Sequence, residues 1–440
     1  MSRQFSRDKD VNGVFTQEEI ECLEDEAILE TEPIAAASTT GKRKVSVVLN
    51  PPSDFSTSSS SSPSASISMR DFSPPRVYKF DLPMTDDSTA TLEWVGFIPS
   101  AAKEIFKRYC DRPDPGQNPD SLMDYAFAHV SELTTSRFKD MDLREAIMRV
   151  GLNQQILEAL TDPEFSDIFW TNDLHFWVND TLNLNYATLL SRQELLKNHA
   201  SRGIAYRKDN EPATINITPQ DFQFPAAHVA IEPNSTILPE HVVLYKGKGF
   251  CDLNEPRHIV RHDGSVCALL LATQPGGDFN WNDFAGYWTP EKETAEQDRK
   301  WAARRNPRCE TCILEIQISK DFLDALKPAE LWYSADWKRY IWFCRNAEVP
   351  DNRFEYLWEP DQVGVVKGHI CTGISKNIRC IREQDIETEI TEDNVLWCRR
   401  TNHKAIQWAF LSHTLKQLVT EIRGKMHIEI VAPLESTQQK

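Results

Sequence analysis

Between His241 and Ile318 short apolar runs alternate with polar punctuation more regularly than anywhere else in the chain. H-V-V-L-Y-K-G, R-H-I-V-R-H, C-A-L-L-L-A-T and F-A-G-Y-W-T are rich in β-branched and apolar residues. Gly, Pro, Asp and Asn separate them, which predicts four strands. Thr289, Pro290 and Glu291 then carry the start signals of a helix: an N-cap, Pro at the first helical position and a carboxylate at the positive end. Beyond that helix, Ile313, Leu314, Ile316 and Ile318 stand against Glu315 and Gln317, which predicts a half-buried strand.

The flanks have other periods. From residue 89 to 207 the apolar positions recur at helical spacing. Ser121 is placed to cap a helix in which Leu122, Tyr125, Ala126, His129 and Leu133 share a face. Gly151 is a stop for L-R-E-A-I-M-R-V-G-L. A helical accessory domain over 89–207 follows, with His129 and His199 as packed or surface histidines. Phe165, Phe169, Trp170, Phe176 and Trp177 are expected to pack a core or a domain boundary. Residues 208–239 are Pro-rich and irregular, a linker. Downstream, D-F-L-D-A-L and A-D-W-K-R-Y-I-W-F-C-R-N predict helices, and Q-V-G-V-V-K-G-H-I-C-T-G a strand pair or a bulged strand. From Ala405 to Ile422 one long helix is expected, because Trp408, Leu411, Leu415, Leu418 and Ile422 follow at steps of three and four. Gly424 ends it and M-H-I-E-I-V forms a closing strand. Strands and helices mix without βαβ repetition, so residues 240–433 form an α+β domain with antiparallel sheets, and 434–440 a short tail.

Composition changes the picture at the N-terminus. An acidic run from Glu18 to Glu32, the basic G-K-R-K at Gly41–Lys44 and a serine tract at Ser56–Ser68 predict a disordered tail over residues 1–88, because such segments bury too little apolar surface to offset ordering entropy. The 440 residues carry 49 basic and 66 acidic side chains, a formal charge of −17, which argues against a broad nucleic-acid-binding face. No run of 18 apolar residues exists to span a membrane. The first ten residues lack the apolar segment of a secretory signal. Ten cysteines are too dilute for a disulfide scaffold. An intracellular protein, cytoplasmic or nuclear, is expected.

The familiar catalytic signatures are missing: no G-x-x-x-x-G-K-[ST], G-x-G-x-x-G, G-x-S-x-G or H-E-x-x-H occurs. Gly247-Lys248-Gly249 precedes no helix start and reads as a strand-end turn. Cys309 and Cys312 form the one C-x-x-C, but on a strand residues three apart point to opposite faces. His258 and His262, four strand residues apart, would be separated by roughly 13 Å. No metal site is expected.

Three short signatures, in this order, resemble the ADP-ribosyltransferase fold. L-Y-K-G at Leu244–Gly247 resembles the family's opening strand. G-Y-W-T at Gly286–Thr289, followed by a helix with Ala295, Trp301 and Ala302, is similar to its G-[FY]-Y-x-T strand and helix. D-Q-V-G-V-V-K-G at Asp361–Gly368 looks like its late D-x-V-x-G strand. The match spans roughly Glu240 to Gly373, about a third of the chain. The resemblance implies a split antiparallel β-sandwich, preceded here by the helical domain and the tail, with NAD as the cofactor. Cofactor-binding residues would be Tyr245, Lys246, Gly247, Tyr287 and Thr289. Tyr287 would stack on nicotinamide, Lys246 would meet the phosphates, Gly247 would let backbone approach the nicotinamide amide, and Thr289 would steady the strand.

Two departures stand out. Lys246 replaces the family's Arg or His, keeping the charge without the bidentate fork. No Glu aligns securely with the catalytic one; Glu355 and Glu359, just before the third signature, are the candidates, and Gln362 lies within it. Two functions follow from the resemblance. One is transfer of ADP-ribose from NAD to a protein or small acceptor. The other is an interaction module, with a protein partner, that keeps the fold without turnover.

Overall fold

The computed structural model describes residues 13–30, 41–49, 63–72, 76–112, 120–134, 141–209, 229–231, 236–251, 259–261, 263–359, 362–373, 378–398 and 401–434. Its strands are β1 (Lys42–Leu49), β2 (Ala65–Arg70), β3 (Arg76–Pro83), β4 (Val229–Ile231), β5 (His241–Gly249), β6 (Ala285–Trp288), β7 (Thr311–Ser319), β8 (Ala329–Leu331), β9 (Val365–His369), β10 (Trp397–Cys398), β11 (His403–Lys404), β12 (Ile406–Leu411) and β13 (Met426–Val431). The helices are α1 (Gln17–Asp25), α2 (Thr89–Val95), α3 (Pro99–Cys110), α4 (Leu122–Val130), α5 (Leu143–Arg149), α6 (Gln154–Leu160), α7 (Ser166–Phe169), α8 (Leu174–Asp209), α9 (Ala268–Leu271), α10 (Lys292–Arg305), α11 (Lys320–Ala325), α12 (Ala335–Asn346), α13 (Ile386–Glu389) and α14 (Leu415–Glu421). No helix among the described residues is long and apolar enough to cross a membrane.

Two sheets carry the architecture, with strand orders β4-β2-β13-β7-β5 and β6-β12-β9-β8. The class is α+β. The sheets are mixed rather than purely antiparallel, because β13–β2, β2–β4 and β8–β9 are parallel pairs. Each parallel pair includes at least one of the short strands β2, β4 and β8. β7 is buried on both faces along most of its length, not half-buried, since Glu315 and Ser319 alone are partly open.

The N-terminal segment is not a tail where it is described. Thr16 and Glu19 form a capping box at the start of α1, and Ile20, Cys22 and Leu23 go into the core beneath the acidic run. Lys42 and Arg43 of the basic cluster lie in β1, where they pair with Glu93 and Glu24. The last part of the serine tract becomes β2, inside the larger sheet: Ile67 is in the core, while Ser66 and Ser68 hold the two ring nitrogens of His427 at 2.8 Å each. Composition misleads here because alternating Ser and apolar residues make a strand whose hydroxyls have partners.

The expected linker likewise contributes β4 to the sheet, and 210–228 lie outside the described residues. The helices of 89–207 form as expected, with Ser121 capping α4 and Gly151 at φ +79° after α5. They do not make a separate core. One continuous apolar cluster runs from Leu92, Ile105 and Leu182 to Leu314, Ile316 and Phe410. Trp301 of α10 packs on Phe165 and Trp177, with ring centroids 5.3 and 5.5 Å away. Arg192 reaches Glu310 at 2.6 Å and Arg304 reaches Asp162 at 2.7 Å. His129 is buried against Arg108 and the Val150 carbonyl, and His199 pairs with Glu26.

The expected long helix at Ala405–Ile422 is two elements. I-Q-W-A-F-L forms β12, the strand between β6 and β9, and only Leu415–Glu421 is α-helical, after a 3-10 turn at Ser412–Thr414. C-A-L-L-L-A-T, expected to be a strand, gives the short helix α9.

Candidate functional site

β5 is the edge of one sheet and β6 the edge of the other. They meet through an antiparallel bridge in which Tyr245 N–H donates to the Thr289 carbonyl at 2.7 Å and Thr289 N–H to the Tyr245 carbonyl at 2.9 Å. Thr289 is therefore a junction residue and not the cap of α10, which begins three residues later with Glu291 as N-cap. At this junction a cavity of about 240 Å³ opens. Tyr245, Lys246, Gly247, Tyr287 and Thr289 all line it, together with Asp278, Thr294, Asp298, Arg345 and Gln407. It is smaller than the ~300–1,000 Å³ typical of sites that enclose a drug-sized ligand, so it suits one end of a larger molecule.

Gly247 faces the start of α10 so closely that a Cβ would lie 1.9 Å from the Ala295 carbonyl oxygen, so the glycine serves strand–helix approach. Lys246 Nζ donates to the Leu271 carbonyl at 2.9 Å and sits 5.9 Å from the centre of the Trp288 ring. The Tyr287 hydroxyl donates to Asn280 Oδ1 at 2.9 Å and accepts from Phe279 N–H at 2.7 Å. Asn280 in turn ties the loop to the carbonyls of Gln274 and Asp283, at 2.8 Å each. Burial, with the nearby Asp278 charge second, pushes the Tyr287 phenol well above its usual value, so it stays neutral.

Two carboxylates line the cavity. Asp278 is buried and fully engaged: Arg345 pairs with it at 2.6 Å, Cys371 N–H donates at 2.8 Å, and Gln407 Nε2 donates to its other oxygen. Asp298, half-buried on α10, has a carboxyl pushed up to about 7 by burial, against the pull of Lys246 and Arg305. It changes charge near neutral pH, in a cavity it shares with a cation. Cys344 and Cys371 lie near Asp278, and burial pushes the Cys371 thiol up to about 12, so neither is an activated nucleophile.

Glu355 and Glu359 are not in this cavity. In the 3-10 turn Asn352–Leu357, Phe354 and Leu357 take the buried positions, which turns Glu355 to solvent; Glu359 is exposed just beyond it. The carboxylate role expected of them is not served by their placement. Gln362 is exposed, Asp361 lies outside the described residues, and the third signature otherwise supplies β9.

The cysteines are likewise redistributed. Cys309 and Cys312 lie in different apolar clusters. Cys309 instead meets Cys251 and Glu310, with ligand atoms within 4.8 Å, and Glu310 is already paired with Arg192. Burial pushes the Cys309 thiol well up, which keeps it protonated. His258 and His262 lie outside the described residues.

Asp278, Asp298, Arg345 and Gln407 escaped the sequence reading. Thr294 and Asp298 are four apart on a helix that was anticipated, so their shared face was available as a signal. Gln407 lies in a segment whose apolar positions have helical spacing, although it folds as β12. Asp278 and Arg345 are 67 residues apart and carry no local signal. No protein-family model matches this chain, and no curated protein or solved structure is significantly similar to it.

Proposed function

We propose that the protein is an ADP-ribosyltransferase-like domain that takes the nicotinamide end of NAD into the cavity between its two sheets. One observation carries this reading: the five residues singled out by the resemblance, from two segments forty residues apart, line a single cavity. Tyr287 offers a ring held by its hydroxyl, ready to stack on nicotinamide. Lys246 offers the charge for the diphosphate, and the Tyr245–Thr289 bridge fixes the two strands relative to each other.

Turnover needs a carboxylate against the cationic ribose that forms as nicotinamide leaves. Asp278 is paired with Arg345, whereas Asp298, its carboxyl pushed up to about 7, has a charge that pH can switch on. The supported chemistry is NAD binding, with transfer to a protein or small acceptor only if ionised Asp298 reaches the ribose. A binding module on the same fold is favoured over a fast enzyme by that full engagement of Asp278. The test is calorimetry with NAD. Binding should be weakened by about 1–3 kcal/mol in Tyr287→Ala, the size of a buried aromatic contact, and by less in Lys246→Ala, a loss that grows at low salt, where the charge is unscreened. Nicotinamide release should stay at background. Absence of NAD binding at millimolar ligand rejects the reading; fast release abolished by Asp298→Asn makes the protein an enzyme.

A further inference from the structure

The loop that holds Tyr287 has a second side. Gly277 and Asp278 line the cavity just described, while Phe279 to Phe284 line another, of about 250 Å³. Its floor is apolar, made of fully buried Phe279, Tyr340 and Leu357. Its walls are aromatic and half-buried: Phe284, Trp281 and Trp358. The rings of Trp281 and Trp358 stand 6.2 Å apart, centre to centre, at 73°, so they present two nearly perpendicular surfaces. Exposed Asp283 lies at the edge, its carboxylate fixed by Phe284 N–H at 2.7 Å and the Ser412 hydroxyl at 2.5 Å. Neither Lys nor Arg lines this cavity. The buried indole N–H of Trp281 has no acceptor.

We propose that this cavity binds an alkylated ammonium group, of the kind carried by choline or by a methylated lysine. The faces of aromatic rings are negative, and a cation held among several of them is attracted electrostatically. A methylated ammonium suits such a place better than a bare one, because its methyl groups bury favourably against the floor and it gives up little hydration. Asp283 adds a full negative charge at the mouth, and the net charge of −17 draws cations toward the surface as a whole. This cavity is separate from the one between the sheets and its lining needs no NAD.

Calorimetry and tryptophan fluorescence on the full chain test it, with choline, free trimethyl-lysine and the neutral isostere of choline in which carbon replaces the ammonium nitrogen. Choline should bind at least about ten-fold more tightly than its isostere, a cation–π difference near 1.4 kcal/mol. Trp358→Ala should abolish saturable binding. Asp283→Asn, which keeps the shape of the rim, should weaken choline and leave the isostere unchanged, so the proposal stays testable if the tryptophan variant misfolds. Tighter binding of trimethyl-lysine than of choline points to a protein side chain as the source, and the reverse order to a small molecule. Equal binding of choline and its isostere, no saturable binding of any cation, or full binding by a folded Trp358→Ala variant overturns the proposal.

Discussion

Tyr245 and Thr289 exchange two backbone hydrogen bonds, of 2.7 and 2.9 Å, and those bonds are where the five-stranded and four-stranded sheets meet. The five residues of β5 and β6 and the two of α10 that line the cavity are positioned from this junction: β5 on one side, β6 on the other, and α10 leaving just after it.

Gly247 should be irreplaceable. A Cβ at this position would lie 1.9 Å from the Ala295 carbonyl oxygen and 2.6 Å from the Arg299 nitrogen, both backbone atoms that no rotamer change can move away. Gly247→Ala is expected to destabilise by about 1–3 kcal/mol or more, the cost of overpacking, and to lower ligand affinity through displacement of α10. Chemical denaturation measures the first. A variant as stable as the parent would mean that α10 can slide.

The Asp278–Arg345 pair is buried, and each partner holds backbone atoms of other segments besides: Asp278 accepts from Cys371 N–H, and Arg345 donates to the carbonyls of Thr171 and Cys371. Arg345→Met leaves an uncompensated buried carboxylate and should cost about 3–5 kcal/mol. The double variant Arg345→Met with Asp278→Asn should recover part of that loss. Urea unfolding of the set reads the coupling; additive losses would show the pair to be unimportant.

Asp298 gives a pH signature. Its folded-state carboxyl titrates near 7, well above its ordinary value of 3.8. The folded protein therefore holds a proton that the unfolded chain has released, and stability from this group is greatest below about pH 4 and is lost as pH rises to about 7. His175 and His369, whose pKa values burial lowers, act in the opposite sense below about pH 6.5. The difference between the parent and Asp298→Asn isolates the aspartate. The parent should lose melting temperature relative to the variant as pH rises from 5 to 7.5. NAD affinity should increase over the same range as pH falls, because a neutral Asp298 leaves the Lys246 charge to the phosphates. A pH-independent difference removes both expectations.

Deleting residues 1–88 should unfold the protein, not trim it. β2 lies between β4 and β13, and Ile20, Leu23, Ile28 and Ile67 are in the main core. Loss of an interior strand and those side chains exceeds the ~5–15 kcal/mol by which domains are stable. Expression of 89–440 as an insoluble or molten chain is the expected result, judged by near-ultraviolet circular dichroism; cooperative unfolding by the truncated chain would put the N-terminal elements outside the cooperative unit.

Local order determined much of this protein from sequence alone. The spacing of Leu122, Ala126 and His129 after a capping serine yields α4, and the alternation of M-H-I-E-I-V yields β13, because both depend on neighbours a few residues away. The signatures that resemble the ADP-ribosyltransferase fold pointed to Tyr245, Lys246, Gly247, Tyr287 and Thr289, and the structure places all five around one cavity. Where contacts are distant, the sequence was silent or misleading. Ser66 and Ser68 read as a solvated tract until His427, some 360 residues away, gives their hydroxyls partners. Gln407 reads as one turn of an apolar-striped helix until β6 and β9 supply strand partners on both sides, since backbone hydrogen bonds to two neighbours outweigh a weak propensity for helix. Which carboxylate enters the cavity was likewise decided in three dimensions: Glu355 is turned to solvent because Phe354 and Leu357 bury beside it, while Asp298 is carried in by a helix whose approach to β5 requires the missing side chain of Gly247.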